Sequence, residues 1–439
     1  MKRKITTDLL TWKNKSDKLP LMLQGARQVG KTYALLSFGK LNYKNTAYFN
    51  FEESNEIQAI FKRNLNPERI LRELAAFSGQ SILPGDTLVI FDEIQECQEA
   101  ITSLKYFAEE APGYHVVTAG SLLGVNIARL PPYSFPVGKV DILQLNPMDF
   151  EEFLWAMDQR PLSELIREHY IKNEPLSLHE IAMDWYRKYL AVGGMPRSVS
   201  IYKETQDLDY VTETLKTLNN SYVADMAKYA SRQETVRIMA VWASVPSQLA
   251  KDNRKFQYGM VKHGGRSHEY ATSLDWLASA GMITRCQLVS QGIPPLSVYA
   301  RPDNFKVYML DTGLLCAKFD VPLNMVLNLP YLNMTFKGPL AENYVCQALT
   351  ANGITPYYWT SQRKAEVDFV IQDNSGNIIP IEVKSGDNVK SKSLHIFHNT
   401  FKSEYMIRVS TKNFGFEGNI KSIPLYSLFC LTNNITATI

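Results

Sequence analysis

The order of apolar runs predicts an α/β chain, and three observations support it. In the first third, short runs of buried-strand type (LPLML at 19–23, LVIF at 88–91, HVVTAGS at 115–121) alternate with helix-like segments, the pattern of a parallel sheet wrapped by helices. From PMDFEEFLWAM to about residue 235 the pattern is helical, with a stop at Gly193, Gly194 and Pro196. The last third returns to strand-like alternation in EVDFVIQDNSGNIIPIEVKSG (366–386), two apolar runs around a turn-rich DNSGN. A chain of 439 residues can bury more than one core, and the expected boundaries are 1–145, 146–233, 234–325 and 326–439.

Composition excludes several classes. Hydrophobic residues make up 45% and charged residues 21%, ordinary for a globular protein. No apolar run approaches the ~20 residues that span a bilayer, so no membrane partner is expected. The basic start, MKRKITTDLLTWKNK, has no apolar stretch of signal-peptide type. The five scattered cysteines include no CxxC pair, which points to reduced thiols and a cytoplasmic location. A net charge of +3 leaves any nucleic-acid binding to a local patch.

The most specific stretch is GARQVGKT, which fits G-x-x-x-x-G-K-[ST] without a mismatch. Glycines let backbone N–H groups close around a β-phosphate, Lys31 reaches the β- and γ-phosphates, and the Thr32 hydroxyl ligates Mg²⁺. Gly25, Ala26, Arg27, Gln28, Val29, Gly30, Lys31, Thr32 and Tyr33 are therefore the candidates for binding ATP or ADP. Some sixty residues on, TLVIFDEIQE ends an apolar strand in Asp92 and Glu93. Asp92 would hold the Mg²⁺ and Glu93 would orient or deprotonate the attacking water. A helix N-terminus decorated with acids accounts for this pair alone, but not for its company with a complete phosphate loop. Thr118 or Ser121, at the end of HVVTAGS, is placed to sense the γ-phosphate; a plain strand-end turn explains them as well.

Together with YFNFEE (48–53), the stretches GARQVGKT, LVIFDEIQE, TAGSLLG, LNPMDFEEFL (145–154) and YLAVGGMPRSV (189–199) resemble a large prokaryotic family of AAA-type ATPases. The resemblance covers nearly the whole chain. It implies a P-loop ATPase core over 1–145, a helical lid or linker over 146–233, a winged-helix-like domain over 234–325, and a C-terminal α/β domain over 326–439. It also implies ATP hydrolysis and the capacity to form homo-oligomers. Where the family has Gly-Arg before the LNPMDFEEFL segment, this chain has Gly138-Lys139. Lysine keeps the charge but loses the bidentate fork, so Lys139, Arg129 and Arg197 are alternative γ-phosphate sensors. Residues 251–268 carry Lys251, Arg254, Lys255, Lys262 and Arg266 against Asp252. Such an excess either meets a DNA backbone or is a solvated loop.

In the C-terminal hairpin, a five-residue DNSGN loop pairs Gln372 with Ile378. Counting back sets Asp368 opposite Glu382 and Glu366 opposite Lys384. Opposed like charges are unfavourable unless a cation intervenes, and Mg²⁺ or Mn²⁺ suits oxygen ligands. KGPLAENYVCQAL (337–349) reads as a helix, with Glu342 at the border of its apolar stripe. An acid on a helix, Asp on a strand and Glu-x-Lys on the next resemble the restriction-endonuclease and Holliday-junction-resolvase signature. By that resemblance Glu342, Asp368 and Glu382 hold the metal and Lys384 polarises the attacking water. The ordinary alternative is a Glu366–Lys384 cross-strand pair worth under ~1 kcal/mol with the other acids solvated. The sequence thus supports an ATPase coupled to a DNA-directed nuclease-like domain, or a nucleotide-switched module that binds DNA or protein without cutting.

Overall fold

The computed structural model of the chain describes residues 1–121, 135–251, 254–328, 334–361, 365–386 and 391–433. Arg129 lies outside the described residues. The chain divides into two compact units, one of Lys2–Asn146 with Ser279–Gly281, the other of Pro147–Ala278 with Met282–Ile439 and Met1.

The first unit runs α1 (Ile5–Asn14), β1 (Leu21–Gly25), α2 (Lys31–Asn42), β2 (Asn45–Asn50), α3 (Asn55–Arg63), α4 (Pro67–Ser78), β3 (Thr87–Asp92), α5 (Gln98–Glu110), β4 (His115–Ser121) and β5 (Asp141–Gln144). Its strands form a parallel sheet in the order β2-β3-β4-β1-β5. Inserting β4 puts the carboxyl ends of β1 and β3 two strands apart, ~10 Å, a gap that a nucleotide phosphate and its cation can bridge. β3 is anchored by Phe91, whose ring contacts Phe49, Phe51, Phe61 and Phe107 at 5.4–6.3 Å. Such pairs add about 0.5–1.5 kcal/mol each beyond area burial, and the cluster fixes the residue that follows, Asp92.

The second unit begins with α6 (Phe150–Ala156), α7 (Arg160–Lys172), α8 (His179–Val192), α9 (Pro196–Thr205), α10 (Leu208–Tyr229), α11 (Arg232–Leu249) and α12 (Ser267–Ser279). Next come β6 (Ile283–Val289), β7 (Ala300–Met309), α13 (Thr312–Lys318), α14 (Leu323–Leu327), α15 (Met334–Ala351), β8 (Tyr357–Ser361), β9 (Ala365–Gln372) and β10 (Ile378–Lys384). The chain closes through α16 (Lys392–Phe401), β11 (Met406–Ser410), β12 (Gly415–Glu417) and β13 (Ile420–Pro424). These strands make one mixed sheet, β12-β13-β11-β10-β9-β8-β6-β7.

That sheet runs across the expected boundary at 325/326. β6 and β7 form an antiparallel hairpin, and β6 also pairs in parallel with β8. The strands before residue 325 therefore share backbone hydrogen bonds with those after it, and no cut there leaves two complete sheets.

Segments distant in sequence converge on Asp311, which caps α13. Its carboxylate accepts from Gly194 N (2.6 Å) and Leu314 N (2.9 Å). Gly194 accepts from Met148 N at 2.7 Å, and Tyr189 Oη donates to Met148 O at 2.7 Å. Gln347 of α15 completes the knot by donating to Tyr189 Oη (2.8 Å) and accepting from Thr312 N (3.1 Å). A Cβ on Gly194 would collide with the Met148 carbonyl, so only glycine fits. Burial pushes the Asp311 carboxyl up to about 6, against hydrogen bonds from Gly194, Leu314 and Gly313 that pull it down. Folding therefore favours the protonated acid. Its contribution is complete below the ordinary value of 3.8 and is lost as pH rises through about 6. Denaturant titrations between pH 4 and 7 should show wild type losing up to about 3 kcal/mol relative to Asp311→Asn as pH rises. Parallel curves for the two proteins would refute this.

All five cysteines are buried and none is in a disulfide. Among the described residues no helix is long and apolar enough to cross a membrane.

Candidate functional site

In the first unit, GARQVGKT leaves β1 and enters α2. The loop needs two left-handed residues, Gln28 (φ 63°) and Gly30 (φ 94°), and a Cβ on Gly25 would collide with the Leu145 carbonyl. Lys31 is buried, and its ammonium donates to the carbonyls of Gly25 (3.1 Å) and Ala26 (2.9 Å). A phosphate is a stronger acceptor than these neutral carbonyls. Val29 and Ala26 pack inward, whereas Gln28 and Tyr33 face solvent.

Thr32 Oγ1 donates to Asp92 Oδ2 at 2.8 Å, joining the two motifs across the inserted strand. Tyr48 Oη donates to the same oxygen at 2.8 Å; burial and Asp92 hold the phenol well above its ordinary pKa. The other Asp92 oxygen accepts from Glu93 N at 3.0 Å. A hydroxyl and a carboxylate in contact are the oxygen donors a Mg²⁺ ion takes, so the residues fit the cation. Glu93 has left-handed backbone (φ 49°), and its carboxylate accepts from Gln95 Nε2.

The sensor candidates separate by position. Ser121 is paired with Gly25, level with the phosphate loop. Thr118 is paired with Met22, three residues deeper and ~10 Å of strand from that edge. Its hydroxyl is buried without a hydrogen-bond partner. Lys139 precedes β5, which starts opposite Leu21 at the far edge of the sheet, ~13 Å of strand from the phosphate loop. Its ammonium pairs with Glu109 at 2.9 Å and draws that carboxyl below its usual range. Lys139 thus stands by the end of β5 opposite to the phosphate loop and is paired with Glu109. Arg197 belongs to the other unit. Sequence reasoning missed Arg3, a buried side chain from before α1 that donates to Val29 O (2.9 Å) and Asn146 O (2.7 Å) and braces the loop.

In the second unit the expected hairpin register is present, with Gln372 paired to Ile378. The ladder ends at Ile381–Phe369, one pair short of Glu382–Asp368. There Asp368 Oδ2 accepts from Val383 N at 2.8 Å, taking a donor that the ladder leaves free. Lys384 pairs with Glu382 at 2.6 Å, not with Glu366. Burial raises the Glu382 carboxyl, opposed by Lys384 and assisted by Asp368; its Oε2 is buried without a hydrogen-bond partner.

Glu342 does not join these acids around an ion. It is buried and ion-paired with Arg254 and, at 3.9 Å, Lys306, and it accepts from Tyr308 Oη at 3.0 Å. Two cations and a phenol already satisfy this carboxylate. Among the described residues no group of three or more His, Cys, Asp or Glu is placed to hold a metal. The set does not fit the three-carboxylate centre expected from sequence. Arg254 is correspondingly withdrawn from the basic patch expected to meet DNA.

Lys306 is the residue that sequence reasoning missed. It is fully buried, 2.5 Å from Glu366, and lies over the Tyr358 ring at 5.0 Å. The available signal was its position two residues before Tyr308 in FKVYML, which puts both on one strand face.

Residues 17–154 match a family described as an AAA domain. Residues 183–324 and 337–428 match two domains of unknown function, DUF8612 and DUF4143. Among solved structures, a Walker-type ATPase of Pyrococcus abyssi is 14% identical, covering 72% of this chain and 95% of that chain with a TM-score of 0.45. The Aeropyrum pernix ORC2 protein is 13% identical over 74% and 91% of the two chains, at 0.34. The RuvB Holliday junction branch migration motor of Thermotoga maritima is 14% identical over 65% and 90%, at 0.30. No curated protein matches the chain. The first unit is an AAA-type P-loop domain by family match, motif and parallel sheet.

Proposed function

We propose that the chain is an ATP-hydrolysing switch whose second unit engages DNA or a protein partner without cutting it. The observation that carries the ATPase reading is the Thr32–Asp92 contact at 2.8 Å beside the buried Lys31. When bound, Mg²⁺ would neutralise phosphate charge between Thr32 and Asp92. Lys31 would hold the β- and γ-phosphates, Ser121 would stand level with them, and Glu93, oriented by Gln95, would take a proton from the attacking water. The homo-oligomer expected from sequence would allow a second copy to supply a γ-phosphate arginine. Non-cleaving engagement is supported by Glu342, whose charge is matched by Arg254 and Lys306.

One observation favours a second reading, that the unit is an endonuclease-like centre using Mg²⁺ or Mn²⁺. Asp368, Glu382 and Lys384 remain neighbours, with Lys384 on Glu382 at 2.6 Å and Asp368 raising the Glu382 carboxyl. One set of proteins tests both readings. Lys31→Ala should reduce ATP affinity at least about 100-fold in a fluorescent-nucleotide titration, because a buried phosphate loses its ammonium. Wild-type affinity would overturn the P-loop assignment. Linear, single-stranded and branched DNA incubated with Mg²⁺ or Mn²⁺ should remain intact. Cleavage abolished by Asp368→Ala and Lys384→Ala would replace the first reading with the second.

A further inference from the structure

A cavity of about 320 Å³ lies within the second unit, apart from the P-loop. Its floor is set by topology. β10, β11 and β13 are adjacent and parallel, and each gives the cavity the residue just past its carboxyl end: Ser385, Thr411 and Leu425. Crevices at the carboxyl ends of parallel strands are where open α/β sheets bind ligands, because the connecting loops diverge there. α8 and the first turns of α15 supply the remaining walls through Arg187, Met183, Leu190 and Lys337.

The lining selects a ligand. The lining carries two cations, Arg187 and Lys337, the hydroxyl-bearing Ser385, Thr411 and Tyr186, and the acid Glu180, whose side chain is 82% exposed. Arg187 is paired with Asp184, itself 61% exposed, and with Glu180 at 3.9 Å. Exchanging such solvent-facing pairs for a phosphate costs under about 1 kcal/mol, while guanidinium–phosphate pairing can be bidentate. Met183, Leu190 and Leu425 close the wall behind the charges and are themselves buried. The volume is at the lower end for small-molecule pockets and too small for a duplex. Ser385 follows the Glu382–Lys384 pair directly, so a bound group would sit close to that cluster.

We propose that this cavity binds a phosphate-bearing group of mononucleotide size, either a free nucleotide or the 5′-phosphorylated end of a strand. The test uses the full chain carrying Lys31→Ala with no other nucleotide present, so that neither the P-loop nor an analogue competes for the probe, and the Arg187 and Lys337 variants report on this cavity whether or not the P-loop reading holds. Calorimetric titrations use dAMP and single-stranded decamers carrying a 5′-phosphate or a 5′-hydroxyl. At least one phosphate-bearing probe should bind, with Arg187→Ala and Lys337→Ala each weakening it about tenfold and Thr411→Trp, which fills the cavity, abolishing it. Unchanged melting temperatures identify folded variants, and the two alanine variants decide the outcome if the Trp variant does not fold. Binding of dAMP alone assigns a free nucleotide; binding of the phosphorylated decamer alone assigns a strand end. No binding at millimolar probe, equal binding of the 5′-hydroxyl decamer, or affinity unchanged in both alanine variants overturns the proposal.

Discussion

Glu93→Gln is expected to lower ATP turnover by about 10²–10⁴-fold, the usual worth of a positioned general base, while nucleotide affinity stays within about twofold. The substitution keeps the size of a side chain that already accepts from Gln95 Nε2, and it leaves Asp92, Thr32 and Lys31 untouched. Binding and chemistry should therefore separate, since a base acts on the attacking water and contributes little to ground-state affinity. Phosphate release at saturating ATP gives the rate, and a fluorescent nucleotide gives the affinity. Turnover within twofold of wild type would place the base elsewhere. Matched losses of rate and affinity would instead show a disturbed phosphate loop. Gln95→Ala should give a smaller loss of rate, because it removes orientation and leaves the base.

Lys306→Met should destabilise the second unit by about 1.5–3 kcal/mol, the worth of hydrogen bonds to charged groups, since neither acid left behind is both buried and unpaired. Lys306 is fully buried between Glu366 at 2.5 Å and Glu342 at 3.9 Å. Methionine preserves most of the volume, so the effect isolates charge from packing. Glu342 retains Arg254 and Tyr308, and Glu366 is 36% exposed, which keeps the loss from being larger. Urea unfolding followed by circular dichroism measures it. Adding Glu366→Gln should recover a part, since contacting charges are non-additive. A loss below about 1 kcal/mol would show that water already solvates the pair.

The two acid-bearing regions were not equally legible. GARQVGKT is a local device: its glycines, lysine and threonine contact one ligand from consecutive positions, so spacing alone reveals the chemistry. Its missed members, Arg3 and Tyr48, come from elements separated from it in sequence and show no spacing rule. Thr118 and Ser121 looked equivalent in the sequence, and only strand pairing put Ser121 level with Gly25. The position of Lys139 was hidden for a similar reason, since the edge of the sheet it occupies depends on how β5 pairs with β1.

The C-terminal hairpin shows both limits in one element. Its register followed from alternation with period two and a five-residue loop, and the ladder pairs Gln372 with Ile378 as counted. The counting went wrong only at the end, where Asp368 accepts the Val383 N–H and the ladder stops. The charge balance of Glu342 was invisible, because Arg254 and Lys306 lie 88 and 36 residues before it.

The nucleotide-binding loop, the acidic strand, the alternation of elements in the first unit and the pairing within the hairpin all follow from the order of residues. Each depends on interactions that are short in sequence or on a fixed side-chain period. Only the tertiary structure decided which cations neutralise Glu342 and Glu366, where the sensor candidates stand, and that β6 and β7 extend the C-terminal sheet. Those outcomes depend on which strand lies beside which, and on buried charges finding partners across that arrangement. A buried carboxylate must be matched, but its own position in the chain does not say by what.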